Sequence, residues 1–178
     1  FGFRRGTQLK EYTMKICCEK NELFERLQSI AAIAGSGPTT KLITRNCLLV
    51  ATGKELQIKV TDLDVSACLQ IDRQEVDGKG ELALPATDLL SLVRAVPSNR
   101  IIIKATKDGK GAEVCSESGE YFFKLLGESP DEFPEVRGFS GEGALELPRE
   151  KFAEMLRRVA VAASRDSSRY QLTGVFCE

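Results

Sequence analysis

The segment LALPATDLLSLVRAV at residues 82–96 returns as LELPREKFAEMLRRV at residues 145–159. A chain that writes one strand-then-helix phrase twice has few ways to fold, because each copy must bury the same columns. Leu82 and Leu84 alternate as on a strand. Pro85 ends the ladder for want of an N–H, and its fixed φ suits the start of a helix. Leu89, Leu92, Val93 and Val96 then recur at helical spacing. An earlier, weaker copy places Ile16, Cys18, Leu23, Leu27 and Ile30 on the columns of Leu82, Leu84, Leu89, Val93 and Val96. In the later copy Leu145, Leu147, Pro148, Phe152, Arg157 and Val159 stand on the columns of Leu82, Leu84, Pro85, Leu89, Arg94 and Val96. Any two amphipathic helices look alike and identity between the copies is low. The order strand, helix, strand, strand, strand nevertheless recurs at a period of about 64 residues, which favours repetition.

The repeat predicts β-α-β-β-β units. In the first, a strand starting at Met14 runs into a helix burying Leu23, Leu27, Ile30, Ala31 and Ala34, stopped by Gly35, Gly37 and Pro38. Strands are expected at 45–52, 55–60 and 63–71, the last from the alternation of Leu63, Val65, Ala67, Leu69 and Ile71. After a DGKG turn the second unit supplies ELALP, a helix ending at Pro97, and strands at 101–106, 112–117 and 121–126. The third begins at Leu145 with a helix presenting Phe152, Met155, Leu156, Val159 and Ala163, and RYQLTGVFCE reads as its next strand. The fold class expected is α+β, with helices on one face of antiparallel sheets. Residues 14–138 join two units edge to edge into one domain, and residues 139–178 open a second, truncated one, after the Pro- and Gly-rich GESPDEFPEVRGFSGEG. Residues 1–13, ahead of an internal Met14, read as a leader or vector-derived segment. Two and a half units point to a fragment of something longer.

Several function classes are disfavoured by composition. With 42% hydrophobic and 29% charged residues the chain is an ordinary globular one. No apolar run spans a bilayer and no secretory signal opens the chain, so a cytoplasmic location is expected. There is no histidine, hence no Ser-His-Asp or Cys-His pair and no Cys/His zinc site. The six cysteines are scattered without a C-x-x-C pair and are expected to be reduced, mostly buried thiols. An enzyme using Cys177 or Cys115 lacks a basic partner, no Gly-rich phosphate loop follows a strand, and Asp62 and Asp64 alternate faces of one expected strand. No catalytic residue, metal or cofactor is expected. A net charge of −1 argues against coating nucleic acid with the whole surface, yet allows one basic face. Lys20 and Arg26 balance Glu22 and Glu25, and Arg94 balances Asp88. On the third helix Arg149, Lys151, Arg157 and Arg158 outnumber Glu150 and Glu154.

MKI at Met14, TDLDVS at residues 61–66, F-x-L followed by DEFP at residues 123–134, and SRDSSRYQLTGV at residues 164–175 occur in an order and spacing similar to the bacterial sliding clamps, the beta subunits of the replicative DNA polymerase III holoenzyme. The resemblance runs from Met14 to Glu178. It implies the DNA-clamp fold: three domains of two units in each protomer, closed head to tail as a homodimer around duplex DNA, helices lining the hole. It also implies a non-catalytic processivity factor that tethers the polymerase without reading sequence, and binds polymerase and clamp loader through short peptide motifs. Phosphate attraction without base contacts suits a sliding ring. Carried over by position, the DNA-facing residues are Lys20, Arg26, Lys41, Arg94, Arg149, Arg157, Arg158 and Arg165. Arg169 and Leu172 fall on the near wall of the partner-peptide groove, and Leu92, Val96, Phe123 and Leu125 at the dimer interface. One departure stands out: many family members have R-P-T-L-P where this chain has Gly37-Pro38-Thr39-Thr40-Lys41, so the DNA-reaching arginine is absent. The alternative reading is a repeat-built interaction scaffold with no DNA role.

Overall fold

The computed structural model describes residues 13–35, 41–72, 74–136, 138, 141, 143–164 and 166–177. The chain divides into two compact units, with the boundary after Gly138. In the first, strand β1 (Met14–Glu19) passes directly into α1 (Lys20–Ile30), whose Leu23, Leu27 and Ile30 are buried. The Ala31 N–H still reaches the Leu27 carbonyl, and the chain turns back at Gly35, which takes φ +72 and donates its N–H to the Thr44 carbonyl. Gly37 and Pro38, also expected to stop the helix, lie outside the described residues. Strands β2 (Asn46–Ala51), β3 (Leu56–Thr61), β4 (Ser66–Ile71), β5 (Gln74–Gly78) and β6 (Gly80–Pro85) follow, then α2 (Ala86–Ala95) and β7 (Arg100–Ala105), β8 (Gly111–Ser116) and β9 (Phe122–Leu126).

The strands form a five-stranded sheet ordered β5-β1-β7-β8-β9 and a four-stranded sheet ordered β4-β3-β2-β6. Every pairing is antiparallel, as expected. The edge-to-edge joining of self-contained repeats is not what forms. Each repeat lends its opening strand to the other's sheet: β1 pairs with β7 (Ile16 opposite Ile103) and β6 with β2 (Leu82 opposite Leu49). The 11-residue α1, rising 1.5 Å per residue, carries the chain about 16 Å from the end of β1 before it can turn back. Strand β1 is thereby left open to β7. One core results, shared by both sheets and both helices and including Ile16, Leu27, Leu49, Leu82, Leu89 and Ile103.

One strand starts well inside its expected range, and another is not expected at all. The alternating run 63–71 becomes a strand only at Ser66. Before it, Asp62 Oδ1 accepts the N–H groups of Asp64 (3.1 Å) and Val65 (2.7 Å), while Thr61 Oγ1 accepts the Leu63 N–H (3.0 Å) and the Ser66 hydroxyl (2.8 Å). Short polar side chains that satisfy nearby backbone compete successfully with the ladder. Leu63 takes φ +83 in this turn and is exposed, as is Val65. Asp62 and Asp64 therefore belong to a turn rather than to the two faces of one strand. Strand β5, absent from the expected order, runs through QEVDG and pairs with β1 from Met14 opposite Gly78 to Cys18 opposite Gln74. Its largely polar sequence carries little hydrophobic alternation. Gly78 ends it with φ +91, where a Cβ would meet the Thr13 carbonyl oxygen.

In the second unit Pro148 leads into α3 (Arg149–Val159), followed by 3-10 turns at Ala160–Ala162 and Ser167–Leu172. Neither expected strand of this unit forms among the described residues. Leu145 is 79% exposed, and RYQL lies in the second 3-10 turn, where the Ser164 N–H donates to the Leu172 carbonyl at 2.8 Å. A strand needs a neighbour for its backbone groups; without one, local hydrogen bonds take them.

Candidate nucleic-acid interface

Helices α1 and α2 lie against each other. Their inward sides carry Leu23, Leu27, Leu89 and Val93, and their exposed sides carry Asn21, Glu25, Gln28 and Ser29, and Thr87, Asp88, Ser91 and Arg94. Lys20, expected to face DNA, makes contacts within the fold. Its Nζ donates to the carbonyls of Val96 (2.7 Å) and Arg94 (3.2 Å), and its backbone N–H donates to Asn99 (2.8 Å). It caps the C-terminal end of α2 with a positive charge where the helix presents unsatisfied carbonyls. Arg26 is half-buried and Arg94 exposed, with Glu25 and Asp88 exposed on the same helices; Lys41 is exposed at the start of the Leu42–Arg45 3-10 turn. The α1–α2 surface is therefore nearly balanced in charge.

The third helix is different. Arg149, Lys151, Arg157 and Arg158 are all exposed, and Arg158 is hydrogen-bonded to Glu154 one turn away. Phe152, Met155, Leu156 and Val159 form an apolar stripe on the same helix, and with Leu145, Leu147, Val175 and Phe176 they line a groove of about 540 Å³ with Lys151 at its margin. Arg165 lies outside the described residues. Arg169 and Leu172 fall within the Ser167–Leu172 turn rather than a strand; Leu172 is exposed and is not among the residues lining that groove. The helical spacing of Phe152, Met155 and Val159 was the sequence signal for the groove, although that spacing predicted burial.

The expected interface residues all fall on the core side. Leu125 lies opposite Ala112 and Phe123 opposite Val114, all on the core side; Val96 is fully buried, and Leu92 and Phe123 are half-buried against the core. The outward set is Phe122, Lys124 and Leu126, with Leu126 82% exposed. Strand β9 is also the end strand of its sheet, with one row of backbone groups facing away from β8. Alternation along FFKLL contained this information once Leu125 was assigned to the core.

No cysteine among the described residues is bonded to another: Cys17, Cys18, Cys47 and Cys115 are buried, and Cys68 and Cys177 exposed. Burial pushes the thiols of Cys18 and Cys47 up to about 12, and raises those of Cys17 and Cys115 as well. Cys115 is thus held as a thiol, the unreactive form. The hydroxyl of Thr106 and the Lys110 N–H hold Asp108 below the usual carboxylate range, and the Ser168 hydroxyl and N–H do the same for Asp166. These are loop-stabilising carboxylates. Among the described residues no group of three His, Cys, Asp or Glu is arranged to hold a metal, and no helix is long and apolar enough to cross a membrane.

The family described as DNA polymerase III beta subunit, N-terminal domain, matches residues 14–137. Beta sliding clamps of Synechococcus elongatus and Chlamydia pneumoniae are 31% and 29% identical over 163 and 162 residues, covering 91% of this chain and 42% and 43% of those proteins. The chain therefore spans less than half the length of these curated relatives. The crystal structure of the DNA polymerase sliding clamp from Bacillus subtilis matches with a TM-score of 0.84 at 23% identity, over 93% of this chain and 44% of that one. A DnaN sliding clamp from Pseudomonas aeruginosa, bound to griselimycin, matches with a TM-score of 0.79 at 23% identity, over 90% of this chain and 42% of that one. At these identities the structural likeness concerns the fold.

Proposed function

The chain belongs to the DNA polymerase III beta subunit family, and from that premise we propose that it forms the first domain and the opening of the second in a ring-shaped sliding clamp. In this reading the protein is a non-catalytic processivity factor acting in the cytoplasm. Its full-length form closes head to tail as a homodimer around duplex DNA, and polymerase and clamp loader engage it through short peptide motifs. The family match over the whole first domain carries the proposal. The adjacent packing of α1 and α2 is consistent with it, since helices side by side can line a hole while the strands form a rim.

The charge distribution refines the assignment of DNA contacts. Lys20 is committed to the end of α2, so the phosphate-facing set begins with Arg26 and Arg94 and is strongest on α3, at Arg149, Lys151 and Arg157. Sequence-neutral attraction of this kind releases counterions and weakens steeply with salt. The enclosing ring, rather than tight contact, supplies residence on DNA. On the same reading, β9 presents Phe122, Lys124 and Leu126 to the neighbouring protomer, with its unpaired backbone edge alongside.

The test is retention of the full-length protein on circular duplex DNA before and after linearisation. Loss on linearisation is the expected result; equal retention on both forms would mean ordinary binding, and no salt-dependent affinity at all would favour the scaffold without a DNA role. Replacing Arg149 and Arg157 by Ala is expected to lower the salt slope of duplex affinity by about one per phosphate contact removed.

A further inference from the structure

The two sheets protect their exchanged strands differently. Beyond β1 the five-stranded sheet is closed by β5. Beyond β6 the four-stranded sheet has a single bridge, Ala83 opposite Glu128, where the Glu128 N–H donates to the Ala83 carbonyl at 3.2 Å. One residue earlier the Gly127 N–H donates to the Lys110 carbonyl at 2.8 Å. Gly127 passes so close to Ala83 that a Cβ there would collide with the Ala83 carbonyl oxygen and also press on a methyl of Leu84. The chain then makes a short 3-10 turn at Pro130–Glu132, closed by the Phe133 N–H donating to the Pro130 carbonyl at 3.0 Å. This turn sets Phe133 on the outer face of the four-stranded sheet. There it packs against Ile43, Leu48, Val50 and Ala83, a cluster separate from the main core.

We propose that residues 127–133 form a latch: a strap held to β6 at one end by the glycine-dependent approach to Ala83, and pinned at the other by Phe133, able to release while both sheets stay folded. Three features distinguish the latch from the core. Its attachment to β6 is one bridge rather than a ladder. Its apolar anchor belongs to the small outer cluster, and residues 127–130 and 133 are only half-buried. Its two ends also depend on different physics, backbone proximity at Gly127 and side-chain packing at Phe133, so each has its own substitution, and loosening either end releases the strap as a unit. Segments with few buried contacts and sparse backbone bonding open well below the global unfolding free energy. The latch covers the β6 edge, a row of backbone groups that would otherwise be open to another strand, and it fixes where the chain leaves the first unit.

Hydrogen exchange on this chain tests the proposal. Phe133→Ala is expected to speed exchange of the Gly127 and Glu128 amides about tenfold while leaving amides of β2, β3, β7 and β8 unchanged. Gly127→Ala, perturbing the other end, is expected to give the same local signature, and Phe133→Leu to restore most of the protection lost in Phe133→Ala. If Phe133→Ala instead accelerates both sheets in step with residues 127–133, Phe133 is part of the cooperative core and the latch is wrong. Unchanged exchange at Gly127 and Glu128 would equally overturn it.

Discussion

Residues 82–96 and 145–159 carry the same phrase and have different fates. In the first, Leu82 and Leu84 enter a strand between β2 and the strap, and Leu89 and Val93 on the following helix are fully buried. In the second the helix forms again after its proline, but Leu145 and Leu147 find no strand partner among the described residues, and Phe152, Met155 and Val159 remain exposed. The helix can form in both places because its hydrogen bonds are internal and its hydrophobic spacing is local. The strand forms only where another part of the chain supplies its partner, which in the first unit is the other repeat's sheet.

That contrast predicts a hierarchy of mutational effects. Leu27→Ala, which empties a fully buried site beneath α1, is expected to cost about 2–5 kcal/mol in urea denaturation, whereas Phe152→Ala on α3 is expected to fall within about 0.5 kcal/mol. Comparable losses at the two sites would show that α3 is packed in solution as tightly as α1.

Alkali should also act on the first unit. The folded-state pKa of Cys18 and Cys47 is raised from 9.0 to about 12, so the unfolded chain releases these protons first. The stability they contribute is complete below pH 9 and is lost as pH rises from there towards 12. Melting temperature measured across this interval should fall, and less steeply in Cys47→Ala. A slope indifferent to that substitution would place the alkaline weakness elsewhere.

Lys20→Met separates a helix-capping role from a DNA-contacting one. Loss of its carbonyl contacts at the end of α2 is expected to cost about 1 kcal/mol, with no change in the salt slope of duplex affinity, the reverse of what Arg149→Ala and Arg157→Ala should do. A changed slope for Lys20→Met would return Lys20 to the DNA-facing set. The smallest effect belongs to Glu154→Gln, which removes the exposed partner of Arg158 and should shift stability by no more than about 0.5 kcal/mol in thermal melts.

Much of the first unit was legible because its signals are local. The columns Leu23, Leu27 and Ile30, and Leu89 and Val93, placed the helices, and Asp108-Gly109 and Ser118-Gly119 separated β7, β8 and β9. QEVDG lacked the alternation that would have marked β5, and at TDLDVS the apolar alternation concealed a turn held by Thr61 and Asp62. The candidate site was less legible. Position put Lys20 among the DNA-facing residues, whereas nothing in its local sequence signalled that its Nζ donates to two carbonyls contributed from α2 and the residue after it. Position alone selected Phe123 and Leu125, whereas strand parity turns Phe122, Lys124 and Leu126 outward.

The sequence by itself determined that this chain is built from a repeated strand-helix unit, where its helices lie and which of their faces are apolar. These properties depend on spacing within a dozen residues. Tertiary structure decided that β1 and β6 change places between the sheets, that Lys20 closes the end of α2, and that Phe133 lies over the outer face of the four-stranded sheet. Each of those joins groups far apart in the chain, and a periodic pattern says that a strand needs a neighbour without saying which neighbour it will have.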